Sequence, residues 1–287
     1  MRQATGDVCL CGCHAVADWG KGNYNGEVRE ILGALEAGDW VLDLGSAGGS
    51  FESKATAARV VRLDLEAQGA DGLPVRGDAA RLPFRGGVFA AVISNHSLEH
   101  FERLEEALAE IGRVIARGGA LFVSVPDAST FTDRLYRWLA RGGGHVNPFR
   151  SAGELAARIA QATGLPHRGT RVLYSSLSFL NRRNSPGPPP LRLRLLGGGA
   201  EWSLAAYNWW SRRLDRWLRT RLSVYGWALY FGEAVHMEDG AEWRNVCLRC
   251  GSACPLEAAL ESRVGRRWGV AAYRCGACGA ANPLTPW

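Results

Sequence analysis

The stretch Trp40-Val41-Leu42-Asp43-Leu44-Gly45-Ser46-Ala47-Gly48-Gly49-Ser50 decides the fold. Its first five residues are apolar, β-branched or aromatic around a single acid, the pattern of a short buried strand. The small residues behind them let the backbone turn tightly and approach a ligand closely. Two further segments repeat the scheme. Arg59-Val60-Val61-Arg62-Leu63-Asp64 is a second strand ending in an acid, about twenty residues after Asp43, where an α/β nucleotide fold sets a carboxylate against a ribose diol. Gly77-Asp78-Ala79-Ala80-Arg81-Leu82-Pro83-Phe84 is a turn whose acid suits an adenine amino group, and residues 88–96 form another buried strand that ends in Asn95-His96.

A glycine-rich turn after a strand is, taken alone, usually a plain strand-to-helix connection. The serial order carries the argument: glycine loop, acid at the next strand end, Asp78 before Leu-Pro-Phe, then Ser97-Leu98-Glu99-His100-Phe101 before a helix. Over roughly residues 25–170 this order resembles the class I S-adenosylmethionine-dependent methyltransferases, in particular their small general-purpose members. The resemblance implies a Rossmann-like, doubly wound α/β fold with a seven-stranded sheet and an antiparallel edge hairpin. Asp43, Gly45 and Gly49 match the family's Asp-x-Gly-x-Gly-x-Gly loop, with Ala47 in place of the middle glycine. It further implies that Asp43, Gly45, Ala47 and Gly49 hold the methionine end of S-adenosylmethionine, that Asp64 binds the ribose and Asp78 the adenine, and that Ala79 and Asn95 complete the cofactor site. A phosphate-cradling loop fits less well, because no Gly-x-x-x-x-Gly-Lys-Ser/Thr occurs and no basic residue stands among the glycines.

A sulfonium methyl is already activated, so the protein mainly positions the acceptor, and a base is needed only where the acceptor must lose a proton. His96, His100 and His145 are the candidate catalytic residues, with Asn95 and Glu99 beside them; the plain alternative for each histidine is packing or capping. His145 stands in Gly-Gly-Gly-His-Val-Asn-Pro-Phe, a setting typical of a loop. The strand before Ser97 lacks the Asn/Asp-Pro-Pro-aromatic ending of enzymes that methylate exocyclic base amines. No cysteine lies between Cys13 and Cys247 to attack a cytosine. The first expectation is O-methyl transfer to a small molecule or sugar. The alternatives are an RNA methyltransferase, with Arg249, Arg263, Arg266, Arg267 and Arg274 facing phosphate, and a non-catalytic cofactor-binding scaffold that recruits a partner.

The eight cysteines fall into two terminal groups, which is not a disulfide framework spread through a fold. Cys247-Leu-Arg-Cys250-Gly and Cys275-Gly-Ala-Cys278-Gly are two knuckles able to give zinc four thiolates. A redox dithiol more often stands as a single Cys-x-x-Cys in a thioredoxin-like unit. Four sulfur ligands leave no open position, so the expected metal is structural Zn2+ in a small C-terminal zinc ribbon. Cys254 is expected to be a spectator, and Cys9, Cys11 and Cys13, at one-residue spacings, are assigned no ligand role.

The formal charge of +6 and pI near 9.0 favour an acidic partner, yet Lys21 and Lys54 are the only lysines, a bias that weakens the case for nucleic acid. A hydrophobic fraction of 47% suffices for one full core and an appendage. With no apolar N-terminal stretch and no run of about eighteen apolar residues, a cytoplasmic location is expected. The expected organisation is a tail at 1–24, a methyltransferase domain at 25–240 and a ribbon at 241–287. Within the domain, helices are expected at 104–116, 154–161 and 201–222, and strands at 120–125, 172–180 and 224–231. Residues 181–223, a proline-rich connector and a Trp/Arg helix, form an insertion between the last two strands. That helix suits a lid over the substrate, a membrane surface or a dimer contact; the sequence does not fix the oligomeric state.

Overall fold

The computed structural model describes residues 25–46, 49–66, 71–139, 144–184, 194–195, 197, 199–233, 235, 237 and 243–286. Ala47, the N-terminal cysteines and most of the proline-rich connector lie outside them. Seven strands form one sheet: β1 (Trp40–Leu44), β2 (Arg59–Asp64), β3 (Leu73–Arg76), β4 (Phe89–Asn95), β5 (Ile115–Pro126), β6 (His167–Tyr174) and β7 (Val224–Phe231). Their order is β3-β2-β1-β4-β5-β7-β6, with β7 antiparallel to both of its neighbours and the others parallel. The expected doubly wound sheet with an antiparallel edge hairpin is present.

Both faces of the sheet are covered, so its inner strands are apolar at nearly every position. Leu42, Leu44, Val92 and Leu121 pack under α2 (Leu104–Val114) and α4 (Ala152–Thr163). The alternate residues Val41, Ile93 and Phe122 pack with Val28, Ile31 and Leu32 of α1 (Asn25–Leu32) on the other side. Local chemistry sets the bounds of α4, whose N-cap Ser151 side chain accepts from Glu154 N–H while Gly164 closes the helix at φ 72°.

Several bounds differ from the sequence expectation. β3 carries Pro74, which speaks against a central strand, but β3 is the sheet edge, where a missing N–H is tolerated. β6 ends at Tyr174 rather than running through 172–180, because Leu177 adopts φ 54° and the chain turns into a 3-10 segment at Ser178–Leu180. α2 stops at Val114 and β5 begins at once, with a register irregularity that takes up Gly118 and Gly119. α1 and α3 (Phe131–Leu139) were not expected.

The Trp/Arg helix, α5 (Glu201–Leu218), ends at Arg219, four residues from Ser223. The Asp215 carboxylate stops it by accepting from Thr220 Oγ1, Leu222 N–H and the N–H and hydroxyl of Ser223. Its inner residues Leu204 and Ala205 pack on Leu177, Leu180 and Leu248, leaving Trp202, Trp210 and Trp217 exposed. Among the described residues no helix is long and apolar enough to cross a membrane.

The C-terminal segment contains β8 (Asn245–Val246), β9 (Ala253–Cys254), α6 (Leu256–Glu261), and a three-stranded sheet of β10 (Arg263–Arg267), β11 (Val270–Arg274) and β12 (Ala281–Pro283). It is fixed to the first sheet's periphery by polar contacts: Ser176 Oγ donates to Cys247 O (2.8 Å) and Asn181 Nδ2 to Leu248 O (2.8 Å). Buried Arg212 of α5 donates to the carbonyls of Ser175, Ser223 and Arg244, tying helix, sheet and ribbon together. Burial pushes its pKa down to about 10, so it stays charged at neutral pH.

Candidate functional site

At the carboxyl ends of β1, β2 and β4 the chain forms the crevice in which open α/β sheets bind ligands. Gly45 (φ 68°) and Gly49 (φ 104°) both occupy left-handed backbone, and both are crowded: a Cβ on Gly49 would lie 2.8 Å from Arg62 Nη1. Asp43 is fully buried, and its Oδ2 accepts from Ser50 N–H (2.9 Å) and Arg62 Nη1 (2.5 Å). Its Oδ1 is buried without a hydrogen-bond partner among the described residues, an acceptor left over for a ligand in the loop. Burial raises the Asp43 pKa and the Arg62 guanidinium opposes the rise.

Arg62 is the part of this loop that the sequence reading missed. Buried in mid-strand, its guanidinium also donates to Phe51 O (2.5 Å), Asp71 O (2.5 Å) and Asp71 Oδ1 (2.7 Å), so it braces the loop from below. An arginine within an otherwise apolar strand was the available signal, because such a charge is retained inside only when it is fully partnered.

Asp64 closes β2, and its Oδ1 accepts from Glu66 N–H (3.3 Å). Leu65, Glu66, Arg76, Gly77 and Asp78 line an open cleft of about 520 Å³. Asp78 Oδ1 accepts from Ala80 N–H (2.9 Å), and its Oδ2 pairs with Arg103. The backbone bond from Ala80, followed by Arg103, holds the Asp78 carboxyl below the usual range. Its side chain remains 46% exposed, so it can still meet a ligand; Ala79 beside it is buried. Glu110 secures the following loop: its carboxylate accepts from Leu82 N–H (2.8 Å) and from Arg113, which in turn donates to the carbonyls of Leu82 and Phe84.

Beyond β4 lies a second cluster. Asn95 is buried and accepts from Ser124 Oγ (2.5 Å), and His96 follows in left-handed backbone at φ 52°. His96 Nδ1 lies 3.8 Å from Glu99 Oε1 and 3.5 Å from the Tyr225 hydroxyl. His100 and His145, far apart in sequence, meet with ring centroids 4.9 Å apart. His100 Nδ1 lies 3.0 Å from Gly144 O, and His145 Nδ1 lies 3.6 Å from Asp133 Oδ1. Burial, then His145 and His100, push the pKa of His96 down to about 3; burial, then His100 and Arg137, push that of His145 down to about 4. Both rings are therefore neutral at pH 7. All three candidate histidines are brought together, and Glu99, Asp133 and Tyr225 join them; no sequence spacing announced the last two.

The four C-terminal cysteines converge with all sulfurs within 4.8 Å of one another. Cys247 and Cys278 Sγ are 3.6 Å apart, and Cys250 and Cys275 Sγ 3.7 Å. Four sulfurs ~2.3 Å from one zinc at tetrahedral angles sit roughly 3.8 Å apart, so the set fits the ion. The knuckles share one pattern: Gly251 N–H donates to Cys247 O and Gly279 N–H to Cys275 O, with both glycines in left-handed backbone. Cys254 is outside the cluster and half-buried beside Tyr273.

A methyltransferase-domain family model matches residues 42–123, the span holding the glycine loop, Asp64, Asp78, and His96 and His100 just after β4. Demethylmenaquinone methyltransferase of Mycobacterium tuberculosis is 33% identical over 163 residues, covering 50% of this chain and 70% of that protein. Malonyl-[acyl-carrier protein] O-methyltransferase of Methylococcus capsulatus is 33% identical over 125 residues, 38% of this chain and 46% of that protein. Geranyl diphosphate methyltransferase in complex with S-adenosylmethionine, a solved structure, is 16% identical with a TM-score of 0.48, over 71% of this chain and 82% of its own. The chain belongs to the class I S-adenosylmethionine-dependent methyltransferases. It spans about half the length of the curated relatives it matches first.

Proposed function

We propose that the protein transfers a methyl group from S-adenosylmethionine to an oxygen of a small molecule or sugar. The observation that carries this reading is the continuity of two features along β4. In the sheet β1, β2 and β3, which carry the glycine loop, Asp64 and the Asp78 cleft, lie to one side of β4, and the histidine cluster follows its end at Asn95, with His96 and His145 neutral.

The residues present fit the cofactor. In this reading Asp43 Oδ1, a buried acceptor, takes the methionine amino group, Gly45 and Gly49 keep the loop low, Asp64 binds the ribose diol, and Asp78 with Ala79 borders the adenine end. When bound, the cofactor supplies the activated methyl. The protein's own work is then to hold the acceptor oxygen in line and to exclude water. His96, His100 and His145 are proposed as the acceptor-side catalytic residues. His96 and His145, neutral with depressed pKa values, are weak bases toward a free hydroxyl, so the cluster's contribution is to orient that hydroxyl and to take its proton only as the oxygen gains the methyl and becomes strongly acidic.

The ribbon is proposed to hold one structural zinc through Cys247, Cys250, Cys275 and Cys278, supplying stability that so small a unit lacks from its own core. The division into 25–240 and 241–287 is part of the same proposal. Two relatives carry names that denote small-molecule or carrier-bound acceptors, which supports the small-molecule reading over RNA. The test is to incubate the protein with methyl-labelled S-adenosylmethionine and a cell extract separated into metabolite, glycan and RNA fractions. Label in the metabolite or glycan fraction supports the reading, and label in RNA alone overturns it.

A further inference from the structure

Glu99, His100 and His145 each offer one ligand atom, and those atoms lie within 4.8 Å of one another. Two imidazoles and a carboxylate are the donor set that first-row divalent ions take when coordination positions must stay open for another ligand. Donors ~2.1 Å from a common ion sit roughly 3 to 4 Å apart, so the three close on an ion with side-chain shifts of about 1 Å.

The surroundings are those of a ligand set. Among the described residues His145 Nε2 is buried with no hydrogen-bond partner, while Nδ1 of the same ring faces Asp133 Oδ1 at 3.6 Å, just beyond hydrogen-bond reach and close to the carboxylate–histidine arrangement that orients metal-binding imidazoles. Asp133 is itself held by Arg137 Nε at 2.6 Å. His100 presents Nδ1 to Gly144 O at 3.0 Å, which leaves Nε2 as the ring's ligand atom. The two halves of the set come from distant segments and are stitched together. Glu99 O accepts from Val146 N–H (2.8 Å) and Asn147 N–H (3.0 Å), and Asn147 Nδ2 donates to Leu98 O (3.0 Å) and Phe101 O (2.7 Å). Packing alone does not require two histidines and a glutamate to converge where a loop crosses a strand end.

We propose that Glu99, His100 and His145 bind a divalent first-row transition-metal ion beside His96, and that its open positions take oxygen atoms of the methyl acceptor. Binding of the ion stands on this geometry alone; only its service to the acceptor rests on the proposed function. The acceptor class narrows accordingly to molecules with two adjacent oxygens able to chelate, such as a vicinal diol, a catechol-like ring or a hydroxy acid.

The test is Co2+ titration of the full-length protein with its ribbon already filled with zinc, followed by absorption spectroscopy. One equivalent should bind with ligand-field bands and without thiolate-to-cobalt charge transfer, which separates this site from exchange into the ribbon. His145→Ala and Glu99→Gln should each weaken it by at least about tenfold, and Asp133→Asn, a positioning change, by about 10- to 100-fold. Calorimetric binding of S-adenosylhomocysteine by the same variants reports that they are folded and that the cofactor site is intact. Cobalt seen only with thiolate bands, or bound equally well by His145→Ala, overturns the proposal. Cobalt binding of the expected kind without methyl transfer to any chelating acceptor would count against the proposed function and leave the ion site standing.

Discussion

Ser97 pins Gly45. The Ser97 hydroxyl donates to Leu44 O (3.0 Å) and meets Ser94 Oγ (2.6 Å), which draws the end of β4 onto the glycine loop until a Cβ on Gly45 would lie 2.5 Å from the Ser97 Cβ. Gly45→Ala therefore faces a clash and a left-handed backbone at once. The expected cost is ~1 to 3 kcal/mol, with loss of cofactor binding. Thermal unfolding and calorimetry check it; an unchanged melting temperature would show that the loop does not sit so low.

The Asp43–Arg62 pair makes a different prediction, because each partner is buried. Arg62→Met strands the carboxylate and should cost ~3 to 5 kcal/mol, whereas Arg62→Met with Asp43→Asn should cost less than the two single changes added together. Urea denaturation of the three variants decides; simple additivity would mean that the pair does not act as one unit.

Acid should loosen the loop after Asp78. Arg113's hydrogen bonds hold the Glu110 pKa below 4.5. A depressed carboxyl pKa stabilises the folded state above its unfolded value, and that contribution disappears as pH falls from about 4.5 through the folded pKa. Glu110 is partly exposed and its partner Arg113 more so, so Glu110→Gln should cost about 1 kcal/mol at pH 7 and less at pH 3. Melting curves at the two pH values test this, and an equal loss at both would point to packing instead.

The ribbon should yield about one zinc equivalent that Cys275→Ser removes. Because Leu248 packs on Leu204 and Leu180, that variant should also free α5, seen as new proteolytic cuts near residues 199–218. A variant that keeps its zinc would remove Cys275 from the ligand set.

Much of this was legible in the sequence, for identifiable reasons. Buried parallel strands are apolar on both faces, so β1, β2 and β4 announced themselves, as did β7, whose bounds at Val224 and Phe231 agree with the expectation. Local motifs were legible too: the Gly45 turn and the two cysteine knuckles are set by neighbours in the chain. What escaped depends on distance or context. β3 is short and holds a proline that only an edge position permits, and the end of β6 depends on Leu177 turning under α5. Arg62 is a charge inside a strand whose partners Asp43 and Asp71 lie on other segments. His100 and His145 were each noticed, but their approach to Glu99 and Asp133 is a product of the fold.

The central claim is that the crevice beside Asp43 and Asp64 binds S-adenosylmethionine. Calorimetric titration of the zinc-filled protein with S-adenosylmethionine, set beside Asp64→Ala, tests it most directly, since Asp64, unlike Asp43, is only partly buried. The account predicts micromolar binding by the unaltered protein and a loss of ~1.5 to 3 kcal/mol in the variant, roughly 10- to 150-fold in affinity. Absence of binding by the unaltered protein, or equal binding by Asp64→Ala, would contradict it.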